Sequence, residues 1–297
     1  MKGILCINKP ENFTSFDVVA KLRGMLKIKR IGHGGTLDPM ATGVLPVFLG
    51  TATKACDIMP NSTKSYRAWF RLGITSDTQD ITGNILTQSD MKADIESIKA
   101  VIPEFKGRIL QIPPMYSAVQ INGKRLYDLA RQGIEIERKP RETEIYSISI
   151  ADYNEEKREG ILDISCSKGT YIRTIINDIG EKIGCGGVMT GLVRTSSCGF
   201  VLDECFTLDE VQKAVDENRI EELILPVERV FESMCKLKLN EVQTRMYRNG
   251  VKLDLSRIQN IRQDIQEYAV YGFDGLFIGT ARAEHESGIL RVSKNLA

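Results

Sequence analysis

Few residues in this chain are placed to do chemistry, and the best framed of them is Asp38. It lies in Gly32-His33-Gly34-Gly35-Thr36-Leu37-Asp38-Pro39, with three glycines in four residues and one of only two histidines. A proline after an acid biases that acid toward extended backbone. Crowded glycines permit positive φ or close approach of the backbone to a ligand. The stretch reads as a loop that aims one acid group, its glycines letting the backbone carry His33 while Asp38 stays directed. A single carboxylate so held can act as a nucleophile, stabilise developing positive charge or move a proton.

Other chemistries lack their residues. Leu37 stands where Gly-x-Gly-x-x-Gly needs its last glycine, and neither Gly-x-x-x-x-Gly-Lys-Ser/Thr nor Gly-x-Ser-x-Gly occurs. The seven cysteines are scattered without a Cys-x-x-Cys pair, and the histidines, His33 and His285, are far apart. Zinc sites need ligands at short paired spacings. The cysteines read as buried reduced thiols, and neither a metal nor a cofactor is expected.

The loop must be positioned by the elements around it. Gly3 to Ile7 reads as a short buried strand ended by Lys9-Pro10, and Val44 to Leu49 is an apolar run. Thr14 or Ser15 can cap a helix with Asp17 in its first turn and Val18, Val19, Leu22, Met25 and Leu26 at helical spacing. Lys21, Arg23, Lys27, Lys29 and Arg30 bring positive charge from that helix up to the loop. Residues 64–75 alternate, with Tyr66, Ala68, Phe70, Leu72 and Ile74 on one strand face. Asp77-Thr78-Gln79-Asp80 reads as a turn-rich connection, and Asn122-Gly123 as a type I′ hairpin turn. Strands are expected near 143–150 and 160–167. A helix follows Gly169-Thr170, with Ile172, Ile175, Ile176, Ile179 and Ile183 inward and Gly184 at its end. Arg173 falls in its first turn, where a cation opposes the helix dipole, so the position asks for an acidic partner. Residues 185–200 are Gly- and Ser-rich around a short strand-like 191–194. Thr207-Leu208-Asp209-Glu210 is a capping box. Residues 236–297 read as a helical start near 240–249 and then short strands, a small mostly-β unit.

The bulk properties are those of a globular protein: 297 residues, 42% apolar and 27% charged. The apolar run at the start is too short for a signal peptide and no segment is long enough for a membrane helix, so a cytoplasmic location is expected. Net charge is +1 overall, but residues 1–75 hold 11 Lys and Arg against 4 Asp and Glu. A local positive face on a near-neutral chain suits docking onto one shaped polyanion.

At these residues the sequence resembles the TruB family of tRNA pseudouridine synthases. The resemblance is carried by residues 32–46, by Lys64-Ser65-Tyr66-Arg67 with Leu72-Gly73, and by Pro113-Pro114-Met115-Tyr116-Ser117-Ala118 through Ala130-Arg131. It continues in Lys168-Gly169-Thr170-Tyr171-Ile172-Arg173-Thr174 and Leu192-Val193-Arg194-Thr195. It implies an α/β (α+β) pseudouridine-synthase fold over residues 1–230, with a central mixed, largely antiparallel sheet flanked by helices. A small PUA-like RNA-binding domain would occupy residues 231–297. The implied activity is isomerisation of uridine 55 in the T-loop of tRNA, without metal or cofactor, the T-arm of tRNA being the partner. Asp38 is then the catalytic aspartate and nucleophile, Arg173 its partner, and His33 the residue that displaces and supports the target base. Tyr66 packs on the flipped uracil and assists removal of its C5 proton, and Tyr171 and Leu192 line the pocket. Lys21, Lys27, Lys29, Arg30 and Lys64 are candidates for the RNA backbone. Two positions depart from the family pattern: Asn12 replaces a frequent glycine and Gln120 a frequent lysine. The carboxylate is compatible with attack on the ribose C1′, attack on the base, or a glycal route.

Two other functions fit parts of this pattern. A non-catalytic tRNA-binding module or folding chaperone would use the basic face, but has no need of an Asp–Arg pair in a base-sized pocket. A small-molecule glycosidase expects a second carboxylate at about 5–9.5 Å, and no other acid is framed as Asp38 is. A monomer is expected, since no sustained heptad or long edge strand argues otherwise.

Overall fold

A computed structural model describes residues 1–121 and 123–297. The chain opens with strand β1 (Gly3–Lys9). Helix α1 (Ser15–Leu26) follows, capped by Thr14 in a capping box with Asp17. Between them Asn12 takes φ 64°, a left-handed conformation that asparagine tolerates better than most residues, so it does here what a glycine would do. Short β2 (Ile31–His33) leads into the glycine loop and then β3 (Thr42–Leu49). The apolar run is therefore a buried strand. The alternating segment forms β4 (Lys64–Leu72), with its even-numbered residues inward. A side hairpin, β5 (Ile74–Ser76) and β6 (Ile85–Gln88), precedes α2 (Ile95–Val101) and β7 (Gly107–Gln111). A second hairpin, β8 (Gln120–Ile121) and β9 (Lys124–Arg125), runs into α3 (Leu126–Ala130). Its expected turn includes Asn122, which lies outside the described residues. Long β10 (Arg141–Asn154) and β11 (Glu159–Cys166) lead to α4 (Ile172–Ile183), which ends on Gly184 at φ 91°.

The next strand differs most from expectation. Residues 185–200 are not a loop around a short strand: β12 (Gly187–Ser197) is an eleven-residue strand in the middle of the sheet. Its glycines serve close packing. A Cβ on Gly180 of α4 would lie 2.2 Å from the Gly186 carbonyl carbon and 2.3 Å from the Gly187 nitrogen. Helix and strand thus meet backbone to backbone, which only glycine permits. β13 (Phe200–Val201) pairs with β12, and α5 (Leu208–Asp216) follows, capped by Thr207 and Glu210.

These strands form a nine-stranded sheet in the order β1-β3-β12-β4-β11-β10-β7, with β2 on β3 and β13 on β12. All pairs are antiparallel except β3 with β12. The C-terminal part gives β14 (Cys235–Lys238), α6 (Glu241–Arg248), β15 (Leu253–Asp254), β16 (Glu267–Tyr271), β17 (Phe277–Glu284) and β18 (Ile289–Asn295). Its strands make a five-stranded sheet in the order β14-β16-β17-β18-β15. One apolar cluster joins the two sheets, with Ala269 and Leu296 packed among Ile4, Phe48, Ala52 and Phe231. The Phe231 and Phe277 rings stack at 5.3 Å, and the Tyr271 hydroxyl donates to Glu228 at 2.6 Å.

Candidate active site

The glycine loop is held at almost every residue. The Gly34 N–H donates to Pro46 O at 2.8 Å, and the Leu37 N–H to the Ser15 hydroxyl at 2.9 Å. Arg194, wholly buried, donates to Gly35 O at 3.1 Å, Thr36 O at 3.2 Å and Val44 O at 2.7 Å. Pro39 O accepts from the Asn12 N–H at 2.9 Å and from the Lys9 ammonium at 3.2 Å. Lys9 also donates to Pro10 O and Phe13 O. Burial pulls its pKa down to about 8, while the Asp38 charge pulls it up. The Ala41 N–H donates to Asp38 O at 3.1 Å, closing a turn with Pro39 at its second position. A backbone pinned this often keeps the direction of Asp38, and the freedom the glycines suggest is largely spent: Gly35, at φ 131°, uses it to pass Lys64 and Arg194.

Arg173 meets Asp38 as the helix position required, its Nε 3.1 Å from Oδ2. The guanidinium is 5% exposed and Asp38 38%, so the acid faces solvent while its partner is sealed behind it. Arg173 Nη2 donates to Tyr116 O at 2.9 Å, and Nη1 to Thr78 O at 3.0 Å and to Asp80 Oδ2 at 3.4 Å. The other Asp80 oxygen accepts from the Thr78 hydroxyl and from the Thr82 N–H and hydroxyl. One planar cation therefore serves two carboxylates with fixed fork geometry. Asp38 presents its remaining lone pairs outward.

Beside the acid stands an apolar wall. Leu37, Tyr66, Ile172 and Leu192 belong to one buried cluster, and Tyr66 on β4 faces Arg194 of β12 across the ladder. Burial pushes the Tyr66 phenol up to about 12, with the Arg194 charge opposing, so it is protonated at neutral pH. Tyr171 is the N-terminal cap residue of α4. Its N–H donates to Gln111 Oε1 at 3.0 Å and its carbonyl accepts from Gln111 Nε2 at 3.2 Å. His33 lies on β2 and accepts the Gly35 N–H at Nδ1, 3.3 Å away. Burial lowers its pKa, so the ring is neutral and its proton sits on Nε2. Lys21 is exposed in the middle of α1, and Lys27, Lys29 and Arg30 are exposed beyond its end. Lys64 is not among them: it is 9% exposed, donates to Ser62 O at 3.2 Å, and burial lowers its pKa. As the first residue of β4 it points inward with Tyr66, because even-numbered residues of that strand face the core.

Four residues that hold the site were not singled out from sequence as doing so. Two had a signal. Arg194 follows Leu192 on β12, so strand parity puts it inside, and Lys9 ends β1, a strand buried on both faces. Asp80 looked like a turn residue, and nothing marked Gln111.

Among the described residues no group of three His, Cys, Asp or Glu is arranged to hold a metal ion. No described helix is long and apolar enough to cross a membrane. The architecture recurs in solved structures. A chain of "Crystal Structure of a Cbf5-Nop10-Gar1 Complex" matches with a TM-score of 0.77 at 25% identity, over 99% of this chain and 85% of that one. A chain of "Structure of H/ACA RNP bound to a substrate RNA containing 2'-deoxyuridine" matches at 0.75 and 23% identity, with the same coverage. The fold is thus the pseudouridine-synthase sheet with a PUA-like second sheet. The description "TruB family pseudouridylate synthase (N terminal domain)" matches residues 23–172, and "tRNA pseudouridylate synthase B C-terminal domain" matches 173–232. The tRNA pseudouridine synthase B of Alkaliphilus oremlandii is 44% identical over 96% of this chain and 94% of its own. That of Clostridium kluyveri is 44% identical over 94% of each. The chain belongs to the TruB family of tRNA pseudouridine synthases, which are isomerases.

Proposed function

We propose that this chain isomerises uridine 55 in the T-loop of tRNA to pseudouridine, with Asp38 as the essential carboxylate. The observation that carries the reading is a solvent-facing acid, braced from behind by a buried arginine and preceded by Leu37 of the apolar cluster that holds Tyr66, Ile172 and Leu192. The reaction breaks the N1–C1′ bond, turns the uracil and joins its C5 to C1′. The proton leaves C5 and N1 gains one, so nothing is oxidised and no group is added. One carboxylate suffices in kind, whether it attacks the ribose, attacks the base or draws a proton along a glycal route.

The target must first leave its stack, at a cost of a few kcal/mol. Stacking on an aromatic side chain returns about 1–3 kcal/mol, and Tyr66 is the group assigned to it here, with Tyr171 and Leu192 lining the pocket. Since Tyr66 is a phenol at neutral pH, its part in moving the C5 proton is through a hydrogen bond rather than as a resident phenolate. His33 supports the displaced base, and Lys21, Lys27, Lys29 and Arg30 meet the T-arm backbone. The same reading takes residues 1–230 as the catalytic domain and 231–297 as the PUA-like one, acting together as a cytoplasmic monomer. Incubation with an unmodified tRNA transcript, followed by mapping of pseudouridine, tests activity and position together. Asp38→Asn is expected to abolish release of the C5 hydrogen while retaining tRNA binding; full turnover by that variant sinks the assignment.

A further inference from the structure

Four buried cations lie against the loop of Asp38, and acids answer only one of them. Arg173 serves both Asp38 and Asp80. Lys9 and Arg194 are wholly buried and Lys64 is 9% exposed. Among the described residues none of these three has a carboxylate within 4 Å. They donate to backbone carbonyls instead: Lys9 to Pro10, Phe13 and Pro39, Lys64 to Ser62, and Arg194 to Gly35, Thr36 and Val44. A neutral donor would meet a carbonyl as well and would escape the cost of burying charge. That cost shows in the lysines. Burial lowers the pKa of Lys9, to about 8, and that of Lys64, and the Arg194 charge lowers both further. The Asp38 charge compensates Lys9 in part, which leaves Lys64 and Arg194 as the excess.

We propose that the excess positive charge of Lys64 and Arg194 stabilises the uracil anion released when the N1–C1′ bond breaks. The proposal rests on the isomerase reading and names the residues that answer its charge separation on the side of the base. In that step the bonding pair stays on the base, where the charge spreads over N1, O2 and O4. The C5–C1′ bond then forms from a ring electron pair, C5 loses its proton and N1 gains one. Asp38, an anion, can answer the sugar but not the departing base. Both cations lie one strand step from a residue assigned to the base pocket. Lys64 and Tyr66 are successive inward residues of β4, as Leu192 and Arg194 are of β12, about 7 Å apart in each case. Arg194 also stands directly opposite Tyr66 across the ladder. Its charge reaches the groups around the pocket: it adds to burial in lowering the pKa of His33 and opposes burial at Tyr66. At about 7 Å a buried unit charge changes a rate on the order of 10–100-fold.

The test compares the full chain on an unmodified tRNA transcript and on the same transcript made with 5-fluorouridine. The readout is the single-turnover loss of N1-linked nucleotide at the target position. Fluorine withdraws electrons, so the 5-fluorouracil anion needs less help from the protein. Lys64→Gln keeps a donor for Ser62 O and removes the charge. It is expected to slow the uridine transcript about 10–100-fold and the 5-fluorouridine transcript by clearly less, with tRNA affinity unchanged because the side chain is buried. Lys64→Met is expected to show the same selectivity and replaces the glutamine variant if that one does not fold. Arg194→Lys keeps the charge but loses the fork on Gly35 O and Thr36 O, and is expected to slow both transcripts by one factor. Equal slowing of the two transcripts in the Lys64 variants overturns the proposal, as does a selective loss in Arg194→Lys. Weakened tRNA affinity with native turnover in Lys64→Gln makes Lys64 a backbone contact and overturns it too. A native chain inactive on both transcripts sinks the isomerase reading. A native chain active on both, with unselective variants, sinks the role of the charge alone.

Discussion

Arg173 holds two acids of different exposure, and that difference predicts how its loss divides between stability and activity. Arg173→Met leaves Asp80, whose side chain is 6% exposed, as a buried carboxylate without its cation. Removing one partner of a buried pair costs about 3–5 kcal/mol. The Asp80 ion pair is long, 3.4 Å, and three donors from Thr78 and Thr82 remain, which favours the low end, about 3 kcal/mol. Thr78 O and Tyr116 O are also deprived of a donor, adding about 1 kcal/mol between them once water reaches either carbonyl. Asp38 is 38% exposed and can be solvated, so its share of the stability loss is small. The whole loss is therefore about 4 kcal/mol, read from urea unfolding curves. Most of it belongs to Asp80. In Arg173→Met with Asp80→Asn the buried charge is gone as well, so more than half of the stability is expected to return. Turnover is not expected to return, because Asp38 is still unbraced. Recovery of both together would show that Arg173 serves the reaction only by keeping the chain folded. Recovery of neither would show that Asp80 is not the source of the cost.

Two further outcomes follow from packing and charge on α4. Gly180→Ala puts a methyl 2.2 Å from the Gly186 carbonyl carbon, and backbone cannot yield as a side chain does; a loss of about 1–3 kcal/mol is expected in denaturant unfolding, with a fall in turnover because α4 carries Arg173. Asp178, half-buried on the same helix, has its carboxyl pushed up to about 6, chiefly by burial. A folded pKa above the unfolded one means that the folded state holds the proton more tightly, so stability is lost as pH rises from about 4 through 6 and the penalty is complete above that. Asp178→Asn should then stabilise the chain at pH 7.5 by about 1–2 kcal/mol after allowance for partial solvation, and the gain should vanish near pH 4. A gain independent of pH would refute the burial account.

The elements that rest on local rules were legible in the sequence. Caps at Thr14 and Thr207, the alternation of β4 and the glycine end of α4 each follow from a few neighbouring residues, and each is found where expected. Arg173 could be paired with an acid from its helix position alone, because a cation in a first turn is uncomfortable until something answers it. Lys64 went wrong where parity was available and was not applied: it shares the inward face that placed Tyr66. Asp80 is a different kind of miss. It meets Arg173 across 93 residues, and nothing in Thr78-Gln79-Asp80 fixes that meeting. What fixes it is the approach of α4 to β12, set by glycines that read as loop residues because glycine is rare inside strands. Gly180 and Gly187 have no side chains to contribute to catalysis. Yet a single methyl between them would move the helix that carries the arginine, and with it the relation of Asp38 to Asp80. The bracing of Asp38 by Arg173 therefore depends on the closeness of one helix to one strand, while the backbone that aims the acid is held separately by Lys9, Ser15 and Arg194.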